Sequence, residues 1–445
     1  NYLREKSELS RVFVTGQQIG LLGGPLYTVY KVLGAVHCAR QTGGKAVYWL
    51  ETNDADFNEI NHIDFLGSAT PADDAKERLS SQVKRPGTTR LSSNNNLDSP
   101  GKLRNLTWTI DSKGYSCGFI PIDDSLTELL DIFFSSLRQT EFTPALRDMA
   151  LRCYAPGRTL GEASLQLAAE MFGSFDIEFF NPAEKEFREF SRPILLREAE
   201  KTKDGDQCNL FCMIGKRREA LFKKGGAFQL RDGTPVDLDQ YDLVPNVKTR
   251  SVCQDAYFNT DTYIAGPGEI KYIAELDPVY RFHGVKKAAV KRRMSITLIE
   301  PKVRRLLKKT GLSIGRVLEQ DKAGLIKSVL KETSGFDFKE MLQQANALTA
   351  EYIDKLGELG LETKDIDRLL RTGVKNICGK KRTLEKEKQA GLLESLEFLS
   401  DNIRPYGQKQ ERIFNVFYYM NLFGGKEFIN WIYKNYDFDI DELEI

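Results

Sequence analysis

A short apolar run that ends in glycine and leads into a helical pattern occurs twice in this chain, and it constrains the fold more than any other feature. The first copy, "RVFVTG", precedes apolar residues at helical spacing from Leu26 to Val36 and then a second strand pattern, "KAVYWLE". Strand, helix and strand within about 40 residues form the unit that builds parallel sheets. The second copy, "DTYIAGPGEIKYIAEL", repeats the order, so the sequence predicts an α/β protein with a parallel-sheet core.

Two stretches interrupt this pattern and a third follows it. Residues 68–104 are polar and rich in Ser, Asn, Gly and Pro, which predicts an exposed insertion, and the mixed segment 184–245 is interpreted as a second insertion. From about residue 301 strand patterns end and long, charge-laced helical patterns follow. We therefore expect a core over 1–300 and a helical region over 301–445, either a coiled coil or an ordinary helical domain with a core-facing stripe.

Composition argues against several classes of protein. The 64 Lys and Arg residues balance 63 Asp and Glu residues, which argues against a protein built mainly to bind nucleic acid or an anionic membrane surface. No stretch approaches the roughly 20 consecutive apolar residues of a membrane helix. Seven scattered cysteines are typical of reduced thiols in the cytoplasm. Because only Cys208 and Cys212 lie close together, no metal site is predicted.

The first glycine-rich turn is a candidate ligand site, because ligands of parallel α/β sheets bind at the carboxyl ends of the strands. Its glycines would let backbone N–H groups approach a ligand, and a helix N-terminus favours an anion. The alternative interpretation is a tight structural turn. The candidate binding residues of this segment are Gln17, Gln18, Gly20, Gly24, Tyr27 and Lys31.

A second segment, "WLETNDADFNEINH", concentrates carboxylates just past a strand. Glu51, Asp54, Asp56 and Glu59 could hold an ammonium group, hold Mg²⁺ through water, or supply a base. The alternative is a solvated loop with an acidic helix N-terminus, and a lone histidine here is more often structural. The candidate catalytic residues are Asp54, Asp56 and His62, and the candidate binding residue is Asn61.

A third segment contains the second glycine turn. Glu269 and Tyr272 lie three residues apart and would share one face of the helix that follows it. Arg250 suits a carboxylate or a phosphate through paired hydrogen bonds. A glycine turn with surface charges is the alternative. The candidate binding residues are Arg250, Gln254, Gly266, Gly268, Glu269 and Tyr272.

A fourth and weaker candidate is the basic run "VKRRMSIT". Its Arg293 and Ser295 could clamp phosphates as a basic loop with hydroxyl groups. Such a run is more often solvated surface, so both interpretations stay open on the sequence alone.

Together these segments resemble the cysteine-adding enzymes of bacillithiol synthesis, the cysteine ligase family BshC. "TGQQIGLLGGPLYTVYK" is similar to the opening motif of that family. "TRSVCQDAYFNTDTYIAGPGEIKYIAEL" is similar to its second block, in which an arginine and a Gln-Asp pair precede Gly-Pro-Gly-Glu. "RPYGQKQERIFNVFYYMNLFG" is similar to its C-terminal block, with matches at Gly407, Gln410, Glu411, Arg412 and Asn415.

The resemblance implies a Rossmann-like core similar to nucleotidyltransferases and class I aminoacyl-tRNA synthetases, with connecting insertions and a C-terminal coiled coil that forms a homodimer. It implies a ligase that joins the carboxyl group of L-cysteine to the amine of glucosaminyl malate as an amide. A free carboxylate does not acylate an amine near neutral pH, so ATP is the expected activator, with ADP as a ligand and Mg²⁺ as a companion ion. The C-terminal block supplies candidates for a second ligand site, Arg404, Gln410 and Arg412.

One departure from the family pattern bears on the chemistry. Where the family shows Glu-Asp-His-Asp after the second strand, this chain has Asn53-Asp54-Ala55-Asp56. Asp54 or Asp56 would hold the cysteine ammonium, but a base at the histidine position is missing, and His62 is not an equivalent substitute. Two alternatives to a cysteine ligase therefore stay open. One is a divergent relative that binds a nucleotide or sugar acid without this chemistry, or that uses another amino acid, and the other is a helical scaffold with an inert α/β domain.

Overall fold

The computed structural model describes residues 11–67, 90–91, 101–334, 337–440 and 442–445. They form two compact units. The first runs to Thr297 and resumes at Glu411–Leu443, and the second consists of Leu298–Gln410 and Glu444–Ile445. The expected division after residue 300 lies close to the first of these boundaries, whereas Glu411–Leu443 lies with the first unit and not with the helices of the second. Most of the expected insertion over 68–104 lies outside the described residues.

The secondary structure combines short strands with many helices. The strands are β1 (Val12–Gln18), β2 (Lys45–Glu51), β3 (His62–Gly67), β4 (Arg90–Leu91), β5 (Lys102–Thr107), β6 (Ile177–Phe180), β7 (Gln207–Ile214), β8 (Arg217–Lys224), β9 (Ala227–Leu230), β10 (Asp242–Pro245), β11 (Thr262–Ala265), β12 (Ala289–Arg292), β13 (Thr297–Ile299) and β14 (Glu442–Glu444). The helices are α1 (Leu26–Thr42), α2 (Asp124–Ser136), α3 (Thr143–Cys153), α4 (Leu160–Phe172), α5 (Lys185–Lys201), α6 (Val247–Phe258), α7 (Pro267–Ala274), α8 (Asp277–His283), α9 (Pro301–Thr310), α10 (Ile314–Glu319), α11 (Lys322–Ser334), α12 (Phe338–Glu358), α13 (Lys364–Lys388), α14 (Ala390–Ile403), α15 (Gln410–Ile413), α16 (Val416–Phe423) and α17 (Glu427–Lys434).

The core of the first unit is a five-stranded sheet in the order β12-β11-β1-β2-β6. All four pairings are parallel, which confirms the predicted α/β class with a parallel-sheet core. β1 is buried over residues 12–16 and β2 over residues 46–50, as strands in the middle of a parallel sheet are. From β1 the sheet continues to β2 on one side and to β11 on the other, so the loops after β1 and β11 diverge.

β1 is longer than the sequence indicated. The expected exit turn at Gly16 is wrong, because Gly16 pairs with Trp49 of β2 and the strand continues to Gln18. A Cβ atom on Gly16 would lie 3.2 Å from the Tyr263 hydroxyl and 3.4 Å from Arg250 Nη1. The glycine therefore admits two side chains close to the strand and does not end it.

The segment 184–245 folds as α5 followed by an antiparallel sheet in the order β10-β7-β8-β9. Its buried residues Leu195, Cys208 and Leu221 belong to the same hydrophobic cluster as Val14 and Trp49 of the parallel sheet. The insertion is therefore packed onto the core and forms part of one folded unit.

Several local predictions in the first unit are confirmed. The helical pattern "SLTELLDIFFSSL" predicts α2, and the strand pattern "FDIEFFNP" predicts β6. The spacing of Thr159 and Glu162 predicts a capping box at the start of α4, where Thr159 N donates to Glu162 Oε2 (2.8 Å) and Glu162 N donates to Thr159 Oγ1 (3.3 Å). β3, β5 and β4 form a separate antiparallel sheet.

The second unit is helical, with a core that includes Val303, Leu396 and Leu399. Leu392, Leu396 and Leu399 recur at helical spacing on α14 and face this core. α12 and α13 are consecutive long helices that pack against each other as a hairpin, and Leu348 and Tyr352, which recur at helical spacing on α12, are exposed. The strand β14 contradicts the expectation that strands end near residue 301. No helix among the described residues has the length and apolarity required to cross a bilayer.

Candidate active site

A cavity of about 530 Å³ opens in the first unit where β1 and β2 end and the loops after β1 and β11 diverge. Parallel α/β sheets bind ligands at this position. The cavity brings together residues of the first and third predicted segments, Glu51 and Glu59 of the acidic segment, and Arg293 of the basic run. The lining residues are Gly16, Gln17, Gln18, Tyr27, Lys31, Trp49, Glu51, Glu59, Val247, Arg250, Gly266, Pro267, Gly268, Glu269, Tyr272, Arg293 and Arg412.

A buried ion pair joins the helices that follow β1 and β11. Lys31, whose side chain is 2% exposed, donates from Nζ to Glu269 Oε2 (2.6 Å), to Gln17 Oε1 (3.2 Å) and to the Gly16 carbonyl. Burial lowers the pKa of Lys31 against the opposing effect of Glu269. Because all three ammonium protons are used within the protein, Lys31 ties the two segments together and has no proton left to donate to a ligand.

Glu269 is held as an anion. Its Oε1 accepts from the Tyr263 hydroxyl (2.8 Å), and Oε2 accepts from the Gly266 N–H (2.8 Å) as well as from Lys31. Burial alone would raise the pKa of Glu269, but the charge and hydrogen bond of Lys31 and the Gly266 N–H lower it. Glu269 therefore accepts hydrogen bonds and does not act as an acid at neutral pH.

The glycine-rich turn before α1 is packed by the protein itself. Gly20 and Gly24 do not line the cavity, and a Cβ atom on Gly20 would lie 2.9 Å from Gly24 Cα. The first N–H of α1, on Leu26, donates to the Phe414 carbonyl (2.9 Å), and Asn415 Nδ2 donates to the Leu21 carbonyl (2.9 Å). The C-terminal segment of the first unit thus covers this helix N-terminus, so only Tyr27 and Lys31 of α1 reach the cavity.

α6 presents Arg250 to the cavity. Its Nη1 donates to Gln254 Oε1 (3.0 Å), one turn along α6, and its Nη2 donates to the Tyr272 hydroxyl (3.0 Å). Gln254 is buried behind the arginine and does not line the cavity, whereas Tyr272 does. These two bonds fix the guanidinium about 6.0 Å from the Trp49 ring centre.

Glu51 and Glu59 of the acidic segment line the cavity, but the predicted catalytic residues Asp54, Asp56 and His62 do not. Asp54 accepts from Gln18 Nε2 (2.5 Å) and from Arg218 Nη2 (2.9 Å). Burial alone would raise the pKa of Asp54, but Gln18, Arg218 and two backbone N–H groups lower it. Its charge is thus already neutralised by a partner within the protein.

The other predicted members of this segment lie elsewhere. Asp56 is exposed beside Asp54, and the Asp56 N–H points to Asp54 Oδ1 (3.4 Å). His62 begins β3, with Nε2 3.7 Å from Asp64 Oδ2, and Asn61 donates from Nδ2 to the Trp108 carbonyl (3.0 Å). These contacts belong to the packing of β3 and β5.

The basic run divides into an exposed half and a buried half: residues 290–292 are exposed on β12, whereas residues 293–297 are buried. Arg293 is 3% exposed, and its Nη1 and Nη2 donate to Glu411 Oε2 (2.9 Å) and Oε1 (2.8 Å). The Ser295 hydroxyl also donates to Glu411 Oε1 (2.9 Å), so Ser295 supports this pair from outside the cavity lining. Arg293 Nε is buried at the cavity without a hydrogen-bond partner.

Arg412 follows Glu411 and stands on the cavity wall. The guanidinium carbons of Arg293 and Arg412 lie 5.3 Å and 6.0 Å from the Tyr27 ring centre. Arg412 is exposed and has no ion pair or hydrogen bond within the described part of the chain. The other two residues of the predicted second site lie in the second unit, where Gln410 bonds to Leu298 and Arg404 bonds to the Gly407 carbonyl (3.1 Å).

Sequence reasoning left out three kinds of residue. Trp49 lies two residues before Glu51 on β2, so its side chain points to the same face as that of Glu51, a signal that the strand period could have supplied. Val247 and Pro267 flank selected residues without carrying chemistry of their own. Arg218 reaches Asp54 from 164 residues away, and only the tertiary fold reveals that contact.

The described residues contain no group of three or more His, Cys, Asp and Glu side chains able to hold an ion. All seven cysteines are buried, unpaired thiols.

Comparisons with known proteins agree with this architecture. The family model "Bacillithiol biosynthesis BshC, N-terminal Rossmann-like domain" matches residues 3–99 and 199–294, and "Bacillithiol biosynthesis BshC, C-terminal coiled-coil domain" matches residues 296–441. The coiled-coil alternative for the C-terminal region is thereby confirmed.

Curated relatives match over most of their length. Proteins named "Putative cysteine ligase BshC" from Salinibacter ruber, Carboxydothermus hydrogenoformans and Bacillus velezensis are 28%, 26% and 25% identical to this chain. The matches cover 92%, 93% and 96% of this chain and 78%, 80% and 83% of those proteins. A solved Campylobacter jejuni structure, described as a "putative arginyl t-RNA synthetase", aligns over 91% of this chain and 94% of its own at 10% identity. The TM-score of this alignment is 0.29. The two domain models together match more than half of the residues, and this chain therefore belongs to the BshC family of bacillithiol biosynthesis.

Proposed function

We propose that this protein is a ligase that joins the carboxyl group of L-cysteine to the amine of glucosaminyl malate, forming an amide in the cavity described above. The names of its relatives support a cysteine ligase of bacillithiol biosynthesis. The cavity supports the same assignment, because its lining holds arginines that match an acidic group and carboxylates that match an ammonium group.

The observation that carries the proposal is the pair of arginines that line the cavity beside Tyr27. Arg412 has no ion pair or hydrogen bond among the described residues, and Arg293 Nε is buried at the cavity without an acceptor. Guanidinium groups pair well with carboxylates, so these two side chains fit the malate carboxylates. Gly268, in the first turn of α7, faces the same cavity, where helix N–H groups favour negative charge.

The cavity lining also carries two glutamates that fit ammonium groups: Glu59 fits that of cysteine, and Glu51 fits that of the amino sugar. This replaces Asp54 in the role of ammonium partner, since Asp54 already pairs with Arg218. We include ATP in the proposal because a free carboxylate must be activated before an amine can attack it, and Mg²⁺ would accompany the nucleotide.

A product assay tests this function. The purified protein would be incubated with L-cysteine, glucosaminyl malate, ATP and Mg²⁺, and bacillithiol would be sought by mass spectrometry. We expect product above the control without enzyme, and less product when ATP is omitted. Thermal stabilisation by the substrates without product would instead favour the divergent relative that binds without this chemistry.

We also propose that the protein is a cytoplasmic homodimer that associates through the hairpin of α12 and α13. The exposed apolar side chains on that hairpin support the proposal, because exposed apolar patches mark surfaces at which proteins associate. They are Leu348, Tyr352, Leu369, Ile377 and Leu384. The unpaired cysteines agree with a reducing compartment.

A further inference from the structure

We propose that Glu51 is the catalytic base that takes the proton from the incoming amine. This inference rests on the proposed ligase function and adds a residue to it. The amine of an amino sugar that arrives as an ammonium ion has no lone pair with which to attack an acyl group, so a group in the cavity must accept a proton.

The histidines do not meet this need. His62 lies beside Asp64 at the start of β3 and does not line the cavity. His283 is buried against Glu198, with Nε2 2.8 Å from Oε2, and His37 lies on α1 among Tyr433, Tyr436 and Phe438. The base must therefore come from the side chains that line the cavity.

Three carboxylates line the cavity in the described part of the chain, Glu51, Glu59 and Glu269. Glu269 is held as an anion by three donors, including the Lys31 ammonium. Glu59 is exposed and accepts from Gln18 Nε2 (2.6 Å), so water solvates its charge. The three donors stabilise the ionised form of Glu269, and the exposed Glu59 does not lie in the half-buried part of the cavity.

Glu51 has a different environment. It is half-buried at the carboxyl end of β2, where Oε2 accepts from Trp49 Nε1 (2.9 Å) and Oε1 accepts from the Asn53 N–H (3.2 Å). Each oxygen therefore retains a lone pair for an ammonium group, while the two bonds hold the carboxylate in place.

The charged groups around Glu51 leave its proton affinity high. Burial raises the pKa of Glu51, and the nearby charge of Asp54 adds to this effect. Arg250 on α6, the Trp49 N–H and Arg218 on β8 oppose it without cancelling it. A base whose pKa approaches the working pH is the most effective kind.

The proposed reaction begins with a proton transfer. One N–H bond of the ammonium breaks, its proton passes to a Glu51 oxygen, and the amine regains its lone pair. The amine then attacks the cysteine carbonyl carbon, which ATP has activated as an acyl phosphate or acyl adenylate. The C–N bond forms, and the phosphate or AMP departs with its bonding electron pair while the second amine proton is released.

The test separates proton removal from activation. Glu51→Gln would be compared with wild type, with Glu51→Asp and with Glu141→Gln, an exposed position outside the cavity. Each protein would receive cysteine and ATP with either glucosaminyl malate or hydroxylamine, an amine that is already unprotonated at neutral pH. We expect Glu51→Gln to lose about 100-fold or more in amide formation but to form the hydroxamate within about twofold of wild type. Glu51→Asp should recover part of the amide activity, and Glu141→Gln should match wild type.

The pH profile gives a second readout. Wild-type amide formation should rise with pH as Glu51 ionises and then level off, whereas the Glu51→Gln rate should keep rising as the free amine accumulates. An unchanged amide rate in Glu51→Gln, or equal losses of amide and hydroxamate with a wild-type melting temperature, would overturn the inference. If Glu51→Gln has a lower melting temperature than wild type, Glu51→Asp decides. Amide formation by Glu51→Asp that is no faster than by Glu51→Gln would then overturn the inference. Failure of wild type to make any amide would instead overturn the proposed ligase function.

Discussion

At the scale of single residues, glycines in two similar sequence turns have different structural roles. Gly24 has φ of +73°, a conformation that side chains rarely adopt, and it packs against Gly20 under the cover of the C-terminal segment. Gly268 has an ordinary φ, and a Cβ atom there would meet no heavy atom within 4 Å, because it would point into open space. The first glycine serves the fold, and the second leaves room beside the first turn of α7.

This difference predicts opposite effects of adding one methyl group. Gly24→Ala should lower the free energy of unfolding by about 1–3 kcal/mol, because the backbone conformation becomes strained. Gly268→Ala should leave the melting temperature unchanged but weaken substrate binding at least tenfold if a ligand approaches the helix N–H groups. Thermal melts and calorimetric titration with glucosaminyl malate and ATP measure both effects. Unchanged affinity for both ligands in Gly268→Ala would remove the α7 terminus from the binding site.

At the scale of elements, the segment that begins at Glu411 completes the cavity. Glu411 on α15 bonds to both terminal nitrogens of Arg293 and to Ser295, after which Arg412 faces the cavity and Phe414 caps α1. A short C-terminal stretch thus orients one cavity arginine and supplies the other. Burying such a charge pair is favourable only while both partners are present.

Removing the charge of Glu411 should therefore destabilise the first unit. We expect Glu411→Gln to lower the free energy of unfolding by about 3–5 kcal/mol, because it leaves the Arg293 charge buried without a counter-ion. Glu394→Gln, at an exposed position on α14, should stay within about 0.5 kcal/mol of wild type. Urea denaturation measures both variants, and a loss below about 1 kcal/mol in Glu411→Gln would show that the pair does not hold the segment.

The elements that the sequence predicts well are those with local signals. β1, β2, β11, α4 and α7 follow from apolar periodicity, caps and glycine turns, which act within a few residues. The sheet β7–β10 was not resolved as strands from its pattern, because segments such as "RREALFKK" alternate weakly and are stabilised by packing on the parallel sheet.

The same distinction applies to the site. Lys31, Glu269, Tyr272 and Arg412 were selected because they belong to segments with unusual local patterns, and all four line the cavity. The choice of Asp54, Asp56 and His62 from the acidic segment failed to find its cavity-lining members, because the direction of each side chain depends on the backbone path after β2. The Arg218–Asp54 pair joins an insertion to that loop, and no local pattern reports such a contact.

At the scale of the whole molecule, the hairpin of α12 and α13 carries exposed apolar side chains that an isolated chain would leave in water. Leu369 is 74% exposed and Ile377 is 68% exposed on α13. Because burial of such residues drives association, the proposed homodimer would cover them.

Charged substitutions on this hairpin should therefore separate the subunits. We expect wild type to have twice the mass of the chain by light scattering, and Leu369→Glu combined with Ile377→Glu to have the mass of one chain. Lys375→Glu, an exposed position on the same helix, changes the charge equally and should remain a dimer. A dimeric double variant would place the association surface elsewhere, and a monomeric wild type would contradict the proposed homodimer.

The central claim is that the acidic substrate binds at the carboxyl edge of the parallel sheet, against Arg412 and Arg293. Calorimetric titration of glucosaminyl malate into wild type, Arg412→Met and Arg292→Met tests it most directly. Arg292 is exposed, lies next to Arg293 and does not line the cavity, so its substitution removes the same charge nearby. A hydrogen bond to a charged group contributes about 1.5–3 kcal/mol. Its loss in Arg412→Met should weaken the binding of glucosaminyl malate about tenfold or more. The affinity of Arg292→Met should stay within about twofold of wild type. Equal affinities in the two variants would contradict the claim.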